Sequence, residues 1–396
     1  MMKISLSSRK IRVSPSCSIP SAKAQQVNAV VFMKSRCLYE IRPFMKNKRP
    51  DARSRPVRVV ALGGGTGLSS VLRGLKAYVA EQGNQNGRHA RKPISDLTAV
   101  VTVTDDGGSS GRLRREYRVL PPGDIRNCMV ALSQDEHLLG KLFQYRFPAG
   151  RGLAGHSFGN LFLTALTNIT GDFAGAVQVS AHVLAIRGRI FPSTAQNVTL
   201  EAELEDGTIV QGETNISRSR KRIFRIHLVP RRVKPVQEVL AAIRAADLIL
   251  VGPGSLYTSI IPNLLVDQMA EVIAHSRATR VYIANLMTQP GETQHYSVAD
   301  HVRAIYDHTR RGLFDFAVIN RKPVSPQLQR RYGTAGATPV DPSFKELERM
   351  GLRYVAGDLL QQDRVVRHDQ AALTRLLLEK FVERGSRRAL TGANRR

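Results

Sequence analysis

The stretch VRVVALGGGTG, Val57 to Gly67, constrains the fold of this chain more than any other. Val57 to Ala61 form a short apolar run that reads as a buried strand, closed by Leu62. Gly63, Gly64, Gly65 and Gly67, interrupted only by Thr66, let the backbone turn sharply and come close to a bound group. LSSVLRGLKAYV, Leu68 to Val79, then carries apolar residues at helical spacing. Strand, glycine turn and helix together aim free N–H groups and a helix N-terminus at a phosphate. The run is not G-x-G-x-x-G, because Leu68 holds the third glycine's place. Alone, it reads equally well as a tight turn.

The rest of the chain supplies partners for it. LTAVVTVTDDGG reads as a second strand ending in Asp105 and Asp106. Carboxylates at a strand's C-terminal end take a ribose hydroxyl or a metal, although Asp-Gly also serves as turn chemistry. Ser109 and Ser110 add hydroxyls in the following glycine loop. In LPPGDIRNCMVALS, Pro121, Pro122 and Gly123 stop the chain, Asp124 suits an N-cap, and Ile125 to Ser133 read as a helix. Arg126 and Asn127 then fall in its first turn, where the helix dipole disfavours a cation. Arg126 is therefore either an anion ligand or a surface arginine. GHSFG matches the nucleophile elbow G-x-S-x-G, with Ser157 as nucleophile, but the motif needs a buried strand before it. The approach, YRFPAGRGLAG, is broken by Pro148 and three glycines. It reads better as another glycine loop entering a helix, with His156, Ser157 and Asn160 at the N-terminus. His156 is a candidate catalytic residue there, or a histidine satisfied by backbone.

Next, NVTLEAELEDGTIVQGETNI switches to period two around Asp206-Gly207, a hairpin signal, and IFRIHLVP adds a strand. The pattern predicts a β-rich insertion over about residues 187–233. DLILVG followed by PGSLYTSIIPNLL then repeats the opening logic with Gly252, Gly254, Ser255 and Tyr257. Strand RVYIANLMTQPGET ends in Asn285 and Thr288, and FDFAVIN in Asn320. Strands alternating with helical runs predict an α/β fold: a Rossmann-like, mainly parallel sheet flanked by helices, over residues 57–384.

Composition excludes several classes. Of 396 residues, 42% are hydrophobic, enough for a core, and no run reaches the roughly 18 apolar residues of a membrane span. Three scattered cysteines give neither a disulfide framework nor a zinc motif, and point to a reducing, cytoplasmic setting. The formal charge is +27, of which residues 1–56 hold +11. Asn215 to Lys234 contain eight basic residues and no acid. Charge gathered in a leader and one segment predicts no specific nucleic-acid binding. Residues 1–56 read as a disordered extension or a mis-assigned start rather than a transit peptide, and residues 385–396 as a basic tail.

In this order, GGGTG, TDDGGSSGRLR, PPGDIRN, GHSFGN, GPGSLYTSIIPNLL and NLMTQPGET resemble the bacterial gluconeogenesis factor family (YvcK-like), a sister of the 2-phospho-L-lactate transferases (CofD-like). The resemblance runs from about Val57 to Glu383. It implies a Rossmann-like core binding a nucleotide-containing ligand: a guanosine-type donor with Mg²⁺ in the transferase branch, UDP-sugars such as UDP-N-acetylglucosamine in the YvcK-like branch. The latter serves cell shape and envelope precursor supply during gluconeogenic growth. No redox cofactor is implied; a homo-oligomer and a protein partner are. On that basis the diphosphate is expected at Gly64, Gly65, Thr66 and Gly67, next to the ligand-binding Gly63, with Arg126 offsetting its charge. Asp105 or Asp106 would take Mg²⁺ or a ribose hydroxyl. Sugar and base contacts would come from Asn160, Ser255 and Asn285, beside Ser109, Ser110, Asp124, Asn127, Ser157, Gly252, Gly254, Tyr257 and Thr288.

Overall fold

A computed structural model describes residues 55–80, 92–134 and 138–383. The expectations for the leader up to Ser54 and for the basic tail lie outside these residues. The core is a seven-stranded, all-parallel sheet. From one edge, its strands are β3 (Arg189–Pro192), β2 (Ile94–Val101), β1 (Val57–Gly63), β7 (Leu248–Val251), β8 (Thr279–Ile283), β9 (Phe316–Asn320) and β10 (Arg353–Gly357). The chain runs outward through β1, β2 and β3, then returns beside β1 and runs the other way. This reversal, between β1 and β7, is where open α/β sheets bind ligands. Continuous burial explains the unbroken apolar runs: Val59 to Leu62 and Leu248 to Val251 are at most 2% exposed.

The helix expected from Leu68 begins earlier. α1 spans Gly65–Lys76, so the glycine turn is itself the helix's first turn. Further helices are α2 (Gly108–Tyr117), α3 (Gly123–Leu132), α4 (Leu138–Gln144), α5 (Phe158–Thr170) and α6 (Phe173–Val183). A small antiparallel sheet comprises β4 (Thr199–Leu204), β5 (Ile209–Gln211) and β6 (Ile223–Val229), in order β5-β4-β6. The Asp206-Gly207 hairpin joins β4 to β5, and the short helix α7 (Glu213–Arg218) follows β5. The excursion is narrower than the sequence pattern predicts, because RIFP pairs with β2 as the edge of the main sheet. A last hairpin, β11 (Leu360–Gln362) and β12 (Val366–His368), follows β10. Among the described residues, no helix is long and apolar enough to cross a membrane.

The N-terminal edge of the sheet is closed by a repeated device. Arg58 on β1 makes a bidentate pair with Asp247, just before β7, at 3.0 and 3.2 Å, and its backbone N–H donates to the same carboxylate at 2.8 Å. Arg280 on β8 does the same with Asp315, just before β9, at 2.7 and 3.0 Å, with its N–H at 2.9 Å. Arg189 on β3 pairs with Asp96 on β2. Each pair joins neighbouring parallel strands and fixes their register.

Candidate functional site

At the opposite edge, the loops after β1, β2, β7 and β8 converge with the first turns of α3 and α5. The loops after β1 and β7 touch backbone to backbone: a Cβ on Gly67 would lie 2.3 Å from the Pro253 carbonyl oxygen. Glycine is required there by contact rather than by φ. Asn263 donates to the Gly63 carbonyl at 2.9 Å and to the Ser259 carbonyl at 2.8 Å, fastening the two loops. Asn285 grips Gly254 at both ends, accepting from its N–H at 3.1 Å and donating to its C=O at 2.8 Å. Gln289 donates to Ser255 at 2.8 Å. Gly252, at φ +85°, starts the turn that delivers these groups.

Asp124 is not the N-cap of α3. Pro122 is already in helical geometry, so the helix starts at Gly123, and Asp124 lies inside the first turn. Its carboxylate reaches across to the glycine turn, where it accepts the Gly65 N–H. A Cβ on Gly64 would fall 2.5 Å from it. Burial and the neighbouring Asp105 push Asp124 up to about 6, against the pull of Gly65 and Arg126. The two adjacent aspartates part company. Asp105 accepts from Gly107 N–H at 2.9 Å and lies beside Gly123. Asp106 turns to the insertion and accepts from the Thr214 N–H at 2.9 Å and hydroxyl at 2.6 Å, inside the first turn of α7. The carboxylate coupled to Asp105 is therefore that of Asp124, whereas Asp106 faces α7.

The GHSFGN segment forms a helix start. Ser157, fully buried, caps α5 by accepting the Asn160 N–H at 3.3 Å and also accepts from Arg126 at 2.5 Å; turns rather than the strand an elbow needs lead into it. His156 Nδ1 lies 2.9 Å from Ser109 Oγ, which also accepts from Asn160 at 3.1 Å. Ser110 lies 3.5 Å from the same amide. Burial, then Arg112, lower the His156 pKa, which keeps the imidazole neutral and able to accept the Ser109 proton. Arg126, deprived of solvent, also donates to Asn127 at 2.8 Å. Two expected contacts are internal instead. Tyr257 is buried and bonded to Tyr296 at 2.8 Å, and Thr288 exchanges bonds with Thr338. Thr66 is exposed at the open face of the turn.

Two acidic residues escape the sequence reading. Glu213, opening α7, and Glu292, after β8, both face Thr258. Burial, reinforced by Asp105, Asp124 and Glu292, pushes Glu213 up to about 9. Burial pushes Glu292 up to about 7, and Ser217 donates to it at 3.2 Å. Both sit in the same tripeptide, Gly-Glu-Thr, at 212–214 and 291–293, and both glycines have positive φ, +88° and +82°. That repetition is the available signal.

Polar demand is concentrated here. Among the described residues, four buried side-chain atoms at this edge have no hydrogen-bond partner: Arg126 Nε, Asn160 Oδ1, Asn263 Oδ1 and Gln289 Oε1. Folded proteins leave few such groups, and each calls for an explanation.

The family profile of the 2-phospho-L-lactate transferase CofD matches residues 59–360. The chain is 49% identical over 330 residues to a putative gluconeogenesis factor of a Nostoc species, covering 83% of this chain and 69% of that one. It is 46% identical over 327 residues to the gluconeogenesis factor of Bacillus subtilis, covering 82% and 98%. A crystal structure of a UPF0052 family member from Bacillus halodurans, 45% identical, superposes with a TM-score of 0.75 over 81% of this chain and 99% of that one.

Proposed function

The chain belongs to the gluconeogenesis factor group of the CofD family, and on that premise we propose that it is a regulator binding a nucleoside diphosphate sugar of the UDP-N-acetylglucosamine type. In the cell this reading couples cell shape and envelope precursor supply to gluconeogenic growth. The observation that carries it is the gathering of unpartnered polar atoms at the strand switch point, where amides and a guanidinium await donors and acceptors of the kind a sugar and a base present. The diphosphate sits against the first turn of α1, where Gly65, Thr66 and Gly67 present N–H groups and the helix dipole favours an anion. Displacing the Asp124 carboxylate from Gly65 frees that donor. Arg126 then supplies the positive charge.

A transferase reading is favoured by one feature, the Asp105–Asp124 pair. Mg²⁺ is held by one or two carboxylates plus substrate phosphates, and two coupled carboxylates beside a phosphate-binding turn fit that donor set. Asp105 and Asp124 would hold the ion, which would neutralise phosphate charge; Arg126 would orient the anion, and neutral His156 would accept a proton through Ser109.

The test is calorimetry and thermal shift with UDP-N-acetylglucosamine, UDP, GDP and GTP, each with and without Mg²⁺. At about 100 times the dissociation constant a ligand adds about 2.7 kcal/mol of stability. A metal-independent UDP-sugar response without turnover supports the regulator. A strict Mg²⁺ requirement with guanine preference and turnover moves the assignment to the transferase; no response to any nucleotide removes both.

A further inference from the structure

Three arginines gather at the approach to α5 with no carboxylate bonded to them. Arg126 of α3 donates to Ser157 Oγ at 2.5 Å, Arg112 of α2 to the Ala154 carbonyl at 2.7 Å, and Arg146, after α4, to the Gly155 carbonyl. A backbone bridge sets Arg146 opposite Ser157, so three elements aim guanidiniums at residues 154–157. All these acceptors are neutral. Among the described residues none of the three arginines makes an ion pair, whereas Arg58 and Arg280 at the other edge of the sheet each hold an aspartate. The like charges are felt: burial, then Arg146, lowers the Arg126 pKa, and burial, then Arg112, lowers that of His156. The carboxylates within range are Asp124 and Asp105 toward Arg126 and Glu116 toward His156, and none is hydrogen-bonded to a guanidinium. One donor is left over. Arg126 Nε is buried without an acceptor, and a group of that kind calls for an explanation.

We propose that Arg112, Arg126 and Arg146 form a second anion-binding subsite, which takes a carboxylate carried on the sugar of a nucleoside diphosphate sugar; resting on the nucleotide reading above, it narrows the preferred ligand to an acid sugar. Direct contacts connect it to the phosphate turn. Gly65 donates to Asp124, Asp124 and Arg126 share the first turn of α3, and Arg126 reaches Ser157, two residues from Gly155. With the diphosphate on the first turn of α1, the sugar lies along this path. Guanidinium forks match a planar carboxylate through paired N–H bonds, and the N-terminal end of α5 adds its dipole. Charge favours a carboxylate over a phosphate ester. Asp105, Asp124 and the diphosphate already offset part of the three positive charges, which leaves room for one negative charge rather than two. UDP-N-acetylglucosamine, with no acid group on its sugar, would fill the phosphate turn and leave this subsite empty.

The test compares UDP-glucose with UDP-glucuronate by calorimetry on the full chain, since the two differ only by CH₂OH against COO⁻ on the sugar. UDP-glucuronate is expected to bind at least about tenfold tighter at about 50 mM salt, a ratio that falls as salt rises. Arg112→Met/Arg146→Met should bring the ratio to about one, with the melting temperature as the folding control. Arg115→Met, at an exposed position of α2 outside the group, should leave the ratio in place. If the double variant does not fold, Arg146→Gln, also at an exposed position, should still lower the ratio at least about threefold. Equal affinities in the wild type, a ratio that survives in the folded double variant, or an equal loss in Arg115→Met would overturn the subsite. UDP-glucose binding without any preference for the uronate removes the subsite alone. No response to either sugar nucleotide removes the nucleotide reading and the subsite with it.

Discussion

The two edges of the parallel sheet use charge in opposite ways. At the N-terminal edge every carboxylate named above meets an arginine. Burial alone would raise Asp247 and Asp315, yet the Arg58 and Arg280 hydrogen bonds pull both below the ordinary aspartate value. At the C-terminal edge carboxylates meet one another: Asp124, Glu213 and Glu292 are all raised, burial first and like charge after it in the first two. The lower edge is built to hold strands together, and the upper one stores unfavourable charge and unpaired polar atoms, which the ligand of the proposed function would relieve. This is the expected division between stability and function in an open α/β sheet.

The sharpest way to break the comparison is steric. Gly67→Ala drives a Cβ into the Pro253 carbonyl across the switch point, where backbone faces backbone and neither side yields. Although alanine gains helix propensity, the collision wins: the expected loss is at least about 2 kcal/mol in urea unfolding, with abolished nucleotide response. Gly333→Ala, in the helix Pro326–Gly333 with open space around its Cβ, should be neutral or stabilising by up to about 1 kcal/mol. Equal behaviour of the two variants would deny the switch point its special status.

The pH dependence should carry opposite signs at the two edges. Glu213 and Glu292 keep their protons in the folded state at pH values where the unfolded chain, near 4.5, has lost them. The folded state then binds more protons, so stability falls as pH rises from about 4.5 through about 7 to about 9. Asp247 and Asp315, held below 3.8, act the other way: their contribution is present above the unfolded value and lost as pH falls through the folded one. Thermal scans of the ligand-free protein from pH 2 to 9 should show a melting temperature that falls at the acid end and declines again from about pH 7 to 9. Glu213→Gln/Glu292→Gln should flatten that decline and leave the acid limb in place. A decline above about pH 7 that persists in the double variant would remove stored charge from the account, since Asp124, raised to about 6, has ionised by then.

Backbone events are legible in the sequence, and side-chain destinations are not. Glycine placement announces the turns after β1 and β7, because only a few residues tolerate such geometry, and period-two patterning announces the β4–β5 hairpin. RIFP reads as part of the insertion, since four residues cannot say which sheet they join. Asp105 and Asp106 look identical in sequence but diverge in the fold, one toward α3 and the other toward α7. Ser157 resembles a nucleophile because the helix-capping requirement and the elbow motif share the same letters. Tyr257 and Thr288 are expected at the ligand; local spacing does not reveal that Tyr296 and Thr338 await them 39 and 50 residues on. Glu213 and Glu292 escape notice because each is a lone acid in a polar loop, made unusual only by the partner that folding brings.

The smallest effects belong to the lower edge, and they grade with burial. The Arg280 and Asp315 side chains are 17% and 26% exposed, and Arg280 also donates to the Ala274 carbonyl at 2.8 Å. Arg280→Met keeps the aliphatic stem but leaves a half-buried carboxylate with only backbone partners, a loss of about 1.5–3 kcal/mol. The same change at Arg58, where the pair is 37% and 34% exposed, leaves Asp247 accessible to water, and about 0.5–1 kcal/mol is expected. Added salt at 0.5 M should narrow the Arg58 effect more than the Arg280 effect, because screening reaches the exposed pair first. Neither variant should alter nucleotide affinity, since both lie at the far end of their strands from the glycine turns. If Arg280→Met weakened the ligand-induced shift as strongly as it weakened the fold, strand register would be transmitted the length of the sheet. The two edges would then have to be treated as one coupled structure.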